Sequence, residues 1–562
     1  MSPRKIPAPT ASKLVTRLAI LLSIALWIFF VLRIPTFDFD ESLYRRVAES
    51  MRERQDPWFM AWDDRLLHHK PPVFYWLIWA AAAVIDFGKN QIGSIAARVP
   101  SLLSSLGILM GLFFGTRFIL GRSGKGADEN TSSNAVLAFL SASFPVLTAT
   151  AVIFDPLQSL ALLPAILIPA RMFYQDAEPS RATWLAFGAG LALATGIKGL
   201  NGLVVPVFAL GVQMLLHFRL WGWPRFFRIS MRTFLFGILP ALAACAAWFY
   251  LLHQKAGPAF TEEFFWVQHL GRSRTSMEDH AGGWYYHVLV LFFGSTFLTP
   301  LLIHQWMEHR PDWLRISYPL VFALSFVFFF SLSATKLPHY LWPAWPALAL
   351  FSALLAESSD KTLAPDKGRS SGRLVSRLPS LLASLPVILI GGLLFALALA
   401  PDALLLSLPK SPVSISILSH WEPFSIAQKA ALLVGALTCL FFQIRRSLWA
   451  RSPAITAICS TLVVFSLCLG LLPSLERIAI RPFQEIAADL KKIPAHRLDC
   501  IRYSGSFSPT LSLALAPDLI HNRCEPGEMR FLVSPEWKAD ECERLGFKVY
   551  STRAHLVLCG KP

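Results

Sequence analysis

Long apolar runs separated by short polar breaks dominate the chain. A membrane span takes about 20 mostly apolar residues. Runs of that kind fall at 18–34, 98–116, 134–154, 157–174, 183–197, 200–217, 232–253, 285–304, 313–333, 337–355, 381–400, 430–442 and 455–472. About thirteen transmembrane helices are therefore predicted, with the two chain ends on opposite sides of the bilayer. A further run, 73–87, breaks that parity if counted; it is short and preceded by Pro71 and Pro72, so it reads as a surface or partly inserted helix. Segment 34–76 is the first long polar stretch. Within it Leu43, Val47 and Met51 recur every four residues opposite a charged face, which predicts a helix lying along the bilayer surface. From Arg481 onward hydropathy drops and short β-rich runs alternate with helical ones, which predicts a small α/β domain outside the membrane. The expected fold is an all-α polytopic membrane protein over 1–475, with surface loops at 35–97 and 254–284, followed by an α/β domain over 476–562.

Composition agrees. Of 562 residues, 54% are hydrophobic and 16% charged, and the mean hydropathy of +0.49 is that of a multi-span helical protein. A net charge of +16 would suggest nucleic acid for a soluble chain. Here arginine and lysine cluster in particular loops: Arg117, Arg122 and Lys125; Arg219, Arg225, Arg228 and Arg232; Arg310 and Arg315; Lys361 to Arg377; Arg445, Arg446 and Arg451. With the N-terminus inside, every cluster falls on the cytoplasmic side. No cleavage site precedes Asp40, so run 18–34 reads as an uncleaved first span. Zinc-type Cys/His spacing, a Walker loop and a dinucleotide glycine motif are absent from the sequence.

The opposite side then collects a different set: Asp40 and Glu41, His69 and Lys70, Asp155, Lys198, the segment 262–286, and Lys336 with His339 and Tyr340. Ionisable groups at membrane depth are costly and usually face a functional cavity. Asp155 before Pro156 equally suits a helix N-cap. The glycines beside Lys198 favour contact with a phosphate or carboxylate. Segment 262–286 carries His269, Arg272 and Tyr285, the composition of a loop that covers an active site. Cys500, Cys524, Cys542 and Cys559 fall in the tail, an even set that suggests two disulfides on the oxidising side with the pairing open.

Seven motifs occur in order: DESLY from Asp40, HKPP from His69, FDP from Phe154, TGIKG from Thr195, FFWVQHLGR from Phe264, HAGGWYY from His280 and KLPHY from Lys336. Together they resemble the bacterial membrane glycosyltransferases of the protein-mannosyltransferase superfamily, which have the GT-C fold, and among them the 4-amino-4-deoxy-L-arabinose lipid A transferase family. The resemblance implies a polyprenyl-phosphate sugar as donor, lipid A or another lipid-linked acceptor, and action at the periplasmic face of the inner membrane, with no nucleic-acid partner. It implies Asp40, Glu41 and Asp155 as catalytic acids, and Lys70, Lys198, Arg272 and Lys336 as donor-phosphate ligands. Tyr44, His69, His269, Tyr285, His339 and Tyr340 are expected to contact substrate. No cofactor is assigned, and a divalent cation stays open. The aminoarabinose enzymes are similar to DETRY at the first motif, whereas Leu43 stands here in place of the arginine, so the sugar is also open; hexosamine and uronic acid are alternatives. A protein O-glycosyltransferase with a similar donor is the second reading. A lipid or sugar transporter fits less well, because internal repeats are lacking and the charges gather at one face.

Overall fold

The computed structural model describes residues 13–34, 40–62, 65–89, 91–121, 127–271, 274–275, 281–308, 311–358, 377–401, 422–445, 451–490, 492–493, 501–503, 531–535, 540–554 and 556–560. Its first half consists of α1 (Lys13–Arg33), α2 (Asp40–Glu53), α3 (Val73–Ile85), α4 (Ser94–Leu120), α5 (Ala127–Leu140), α6 (Ser143–Thr148), α7 (Asp155–Ala161), α8 (Leu163–Gln175), α9 (Arg181–Lys198), α10 (Asn201–Thr233) and α11 (Leu239–Ala256). Further helices follow at Tyr286–Gly294, Leu298–Glu308, Tyr318–Leu332, Ala344–Glu357, Arg377–Leu399, Ile426–Ile444 and Pro453–Ala479.

Among the described residues, six helices are long and apolar enough to cross a membrane as they stand, and a seventh candidate is the pair Tyr286–Gly294 and Leu298–Met307, bent by 86°. Several expected spans are instead broken. Run 134–154 splits into α5, α6 and an irregular stretch up to Phe154. Run 337–355 begins as a 3₁₀ turn at Pro338–Leu341 before its helix starts at Ala344. Proline supplies no amide hydrogen and clashes with the preceding turn, so apolar runs containing it break where hydropathy stays high. The α10 helix kinks at Gly222, which adopts φ 67°. Between Asn201 and Ala256 only 22% of the most apolar stretch is buried, and Leu215, Leu220, Phe227 and Leu239 lie exposed. A helix apolar on its outer face suits lipid rather than water. The α3 helix has 13 residues, so it rises about 20 Å, less than the bilayer core.

The α2 helix corrects one expectation. Leu43, Val47 and Met51 do form a stripe, but it packs into the main core with Trp27, Phe74 and Trp62 and not onto a bilayer surface. The opposite face is buried as well. Arg46, 2% exposed, donates to Glu49 at 3.2 Å and to Glu53 at 2.9 Å. Glu49 accepts from the Ile92 amide at 2.9 Å. Buried charges persist only when paired and hydrogen-bonded, and this network ties α2 to the segment ahead of α4.

Besides the short antiparallel pair β1 (Ala61–Trp62) and β2 (Arg65–Leu66) after α2, the tail forms a four-stranded sheet of β3 (Ile501–Tyr503), β4 (Phe531–Pro535), β5 (Lys548–Arg553) and β6 (Leu556–Gly560) in the order β3-β4-β6-β5. The β3–β4 pair is parallel and the other two are antiparallel. Alternation along the strands gives the sheet two apolar faces. Phe531, Val533, Leu556 and Leu558 pack under the helix Arg481–Leu490, while Leu532, Val557 and Cys559 pack with Phe547 on the other face. A disulfide joins Cys542 to Cys559. Cys500 and Cys524, the other expected disulfide candidates, lie outside the described residues.

Candidate active site

Two helix breaks face each other. At one, α7 begins at Asp155 with Pro156 behind it. At the other, α9 ends at Lys198, Gly199 turns the chain at φ 133°, and α10 begins at Asn201. Broken helices leave backbone groups and polar side chains at a depth where a continuous helix would bury them. Phe154, not Asp155, is the N-cap residue, and Asp155 is the first residue of the helix. Its carboxylate, 1% exposed, accepts directly from the Lys198 ammonium, itself 7% exposed. One turn on, Gln158 and Asn201 form a second rung, with Gln158 Nε2 3.2 Å from Asn201 Oδ1. The Tyr340 ring lies with its centroid 5.0 Å from Lys198 Nζ, within cation–π range, and packs on Phe330 at 4.7 Å between ring centres.

Lys198, Asn201 and Tyr340 share the wall of a cavity of about 750 Å³ with Lys70, Gln268 and His269. The rest of the lining is mainly apolar, with Val204, Phe265, Trp266, Leu270, Phe329 and Leu332. Lys70 also lies within electrostatic range of Asp155. The cavity is therefore amphiphilic: two ammonium groups at one part and aromatic and aliphatic surface over the remainder.

One wall is a π-helix, Glu262–Gly271, a rare geometry that often marks functional sites. Two latches hold it. Glu263 receives the His68 amide at 2.9 Å, and its other oxygen lies 2.8 Å from His69 Nε2. Burial opposes ionisation of Glu263, yet the hydrogen bonds from His69 and the His68 amide, with their charges, hold its carboxyl below the usual glutamate range. For His68, burial pushes the imidazole down against the attraction of Glu263. At the second latch His269 donates from Nδ1 to the Phe264 carbonyl at 2.7 Å and accepts at Nε2 from the Leu200 amide at 3.2 Å. That pairing fixes a neutral tautomer. A Cβ on Gly199 would fall 2.5 Å from His269 Nε2, so only glycine permits the approach.

The remaining expected residues divide clearly. Asp40 is half-buried at the start of α2 and within electrostatic range of the Tyr75 hydroxyl, whose ring packs on Phe154 beside Asp155. The neighbouring acid, Glu41, faces elsewhere: Arg98 donates to one oxygen at 2.8 Å and the Val152 amide to the other at 2.8 Å. Tyr44 is buried, edge-on to Phe154 at 4.9 Å. Lys336, 4% exposed, is not in the cavity wall; its ammonium donates to the Ser331 and Phe330 carbonyls at 2.7 and 3.1 Å, in the last turn of Tyr318–Leu332. A cation at that helix end satisfies carbonyls that have no partner within the helix. Tyr285 is exposed and packs against Trp284, and His339 lies edge-on to Tyr340. Arg272 lies outside the described residues. Among the described residues no group of three His, Cys, Asp or Glu side chains could hold a metal ion.

No family model matches the chain. Curated relatives do. The undecaprenyl phosphate-α-4-amino-4-deoxy-L-arabinose arabinosyl transferase of Pseudomonas savastanoi pv. phaseolicola is 27% identical over 343 residues, 59% of this chain and 58% of that protein, so the match spans less than two thirds of the relative. One from Pseudomonas fluorescens Pf-5 is 27% identical over 455 residues, 77% of this chain and 73% of that protein. Among solved structures, ArnT from Cupriavidus metallidurans bound to undecaprenyl phosphate superposes with a TM-score of 0.73 at 18% identity, covering 98% of both chains. Its apo form superposes with 0.71 at 18% identity, covering 97% of both. The chain is thus a sequence relative of the undecaprenyl phosphate-aminoarabinose transferases, a polytopic membrane protein with the fold of ArnT.

Proposed function

We propose that this protein is a glycosyltransferase that moves a sugar from a polyprenyl-phosphate donor to a lipid A-type acceptor at the periplasmic face of the inner membrane. The observation that carries the reading is the amphiphilic cavity, with Lys70 and Lys198 beside an apolar lining. An isoprenoid chain matches the apolar part and a phosphate matches the two ammonium groups. Relatives named for an undecaprenyl-phosphate sugar, and a fold seen with undecaprenyl phosphate in ArnT, support it.

The phosphate is already a good leaving group, so it needs charge stabilisation more than a proton. Lys70 and Lys198 supply that charge, and the same role is assigned to Arg272 from the FFWVQHLGR motif alone. Asp155 holds the Lys198 ammonium in place, and the Tyr340 face bounds it on another side. Positive charge grows on the sugar as its bond to the phosphate oxygen breaks, and a carboxylate nearby stabilises it. Asp40 is assigned that role and, for a hydroxyl acceptor, takes its proton. A phosphate acceptor is already anionic and needs no base. Attack from the face opposite the leaving phosphate inverts the anomeric centre.

Mass spectrometry of lipid A from cells with and without the protein tests the reading. A mass increase of one sugar per modified phosphate or hydroxyl is expected. Unchanged lipid A, or label from the donor appearing in protein instead, overturns the acceptor assignment.

A further inference from the structure

Gln158 and Asn201 have no part in the chemistry above, yet they form the rung directly beside the Asp155–Lys198 pair. Gln158 is fully buried in α7 and Asn201 opens α10. Their amides pair reciprocally: Gln158 Nε2 donates to Asn201 Oδ1 at 3.2 Å, and Asn201 Nδ2 donates to Gln158 Oε1 at 3.3 Å. The direction of this pair is fixed from outside. Gln158 Nε2 also donates to the Ala194 carbonyl at 3.3 Å, and a carbonyl can only accept. Gln158 must therefore turn its nitrogen to α9 and its oxygen to the Asn201 nitrogen. Asn201 Oδ1 already accepts from Gln158 in that arrangement and has nothing to give an anion, while one hydrogen of the Nδ2 group is left over. Asn201 lines the cavity together with Lys198 and Lys70. What it can offer there is a donor.

We propose that Asn201 is a further donor-phosphate ligand, presenting an N–H beside Lys198, and that Gln158 is the positioning residue that sets its polarity. The inference rests on the donor reading of the cavity. It explains why a buried amide pair lies one helical turn from a buried ion pair: both rungs are anchored on α7 and both point a donor at the same space.

The test uses the full chain in lipid nanodiscs, with undecaprenyl phosphate and undecaprenol as probes and Lys70→Ala as benchmark. Loss of a hydrogen bond to a charged group corresponds to roughly tenfold weaker binding or more. Asn201→Ala is expected to weaken undecaprenyl phosphate binding roughly tenfold. Asn201→Asp, nearly identical in shape, keeps the bond from Gln158 Nε2 but loses the one to Gln158 Oε1; it places a carboxylate at the phosphate and should weaken binding further. Gln158→Leu should weaken it in the same direction as Asn201→Ala. Undecaprenol binding should not change in any of them, whereas a merely structural role would disturb both probes equally. Asn201→Asp binding undecaprenyl phosphate within twofold of wild type, or no more weakly than Asn201→Ala, overturns the proposal. If Lys70→Ala loses the phosphate probe while Asn201→Asp keeps it, only the role of Asn201 fails. If Lys70→Ala keeps it too, the donor reading itself fails.

Discussion

At the scale of single residues, adjacent acids with the same sequence signature do different work. Asp40 and Glu41 share the first turn of α2, but Glu41 spends both oxygens on Arg98 and the Val152 amide, while Asp40 faces the neighbourhood of Tyr75. Glu41→Gln removes the carboxylate to which the Arg98 guanidinium, 4% exposed, donates at 2.8 Å. Breaking a buried pair from one side costs about 3–5 kcal/mol, so thermal denaturation should show a clearly lowered melting temperature. Asp40→Asn should leave melting unchanged and abolish transfer; a fully active Asp40→Asn protein removes the catalytic assignment. Lys336 gives a second contrast. As a cap on Tyr318–Leu332 it holds two carbonyls, and Lys336→Ala should destabilise the protein by about 2 kcal/mol while undecaprenyl phosphate still binds. Lost donor binding with unchanged melting would return Lys336 to the phosphate.

At the scale of elements, the cavity depends on a wall that is clamped at both ends. Gly199→Ala adds a Cβ 2.5 Å from His269 Nε2 at a backbone angle that side chains rarely adopt, so it should detach the π-helix; hydrogen exchange over 262–271 should rise sharply, and donor binding should fall with it. The other clamp titrates. The folded-state carboxyl of Glu263 lies below its unfolded value, so its contribution to stability is complete above the unfolded glutamate range and is lost as pH falls through the lower, folded value. Protection over the wall, taken relative to the intrinsic exchange rate at each pH, should therefore fall on acidification below about pH 4.5, and Glu263→Gln should flatten that dependence. This wall also shows where the sequence stops being legible. Apolar runs located the helices, and one-sided charge located Lys70, Asp155, Lys198 and Tyr340. Neither signal separates Glu263 from Glu262, because a π-helix places side chains at a spacing that periodicity does not encode. The stripe on α2 was readable, but what it packs against was not: an amphipathic pattern names the apolar face without saying whether protein or lipid covers it. Gln158 and Asn201 carry no charge, and uncharged amides in apolar runs give no signal until two breaks are seen face to face.

At the scale of the whole molecule, sidedness links the chemistry to the tail. On the proposed sidedness the arginine-rich loops face the cytoplasm, and the same alternation assigns the helix breaks carrying Asp155 and Lys198 to the other face. If the chain ends lie on opposite sides, the sheet of the tail shares the compartment of the active site. The Cys542–Cys559 disulfide is the feature that connects this geography to redox chemistry, since such bonds persist outside the cytoplasm and are rare within it. Cys245, Cys439, Cys459 and Cys468 are buried free thiols and stay silent to polar reagents, so the tail can be read separately. In spheroplasts, a membrane-impermeant reductant followed by an impermeant maleimide should label Cys542 and Cys559, and omission of the reductant should leave both unlabelled. The bond closes a sequence separation of 17 residues, for which loop-closure entropy gives about 3 kcal/mol. Reduction should accordingly expose 531–560 to added protease while the membrane helices stay protected. Labelling that requires permeabilised cells would put the sheet in the cytoplasm, reverse the parity of the spans between it and the cavity, and separate the tail from the face proposed for sugar transfer.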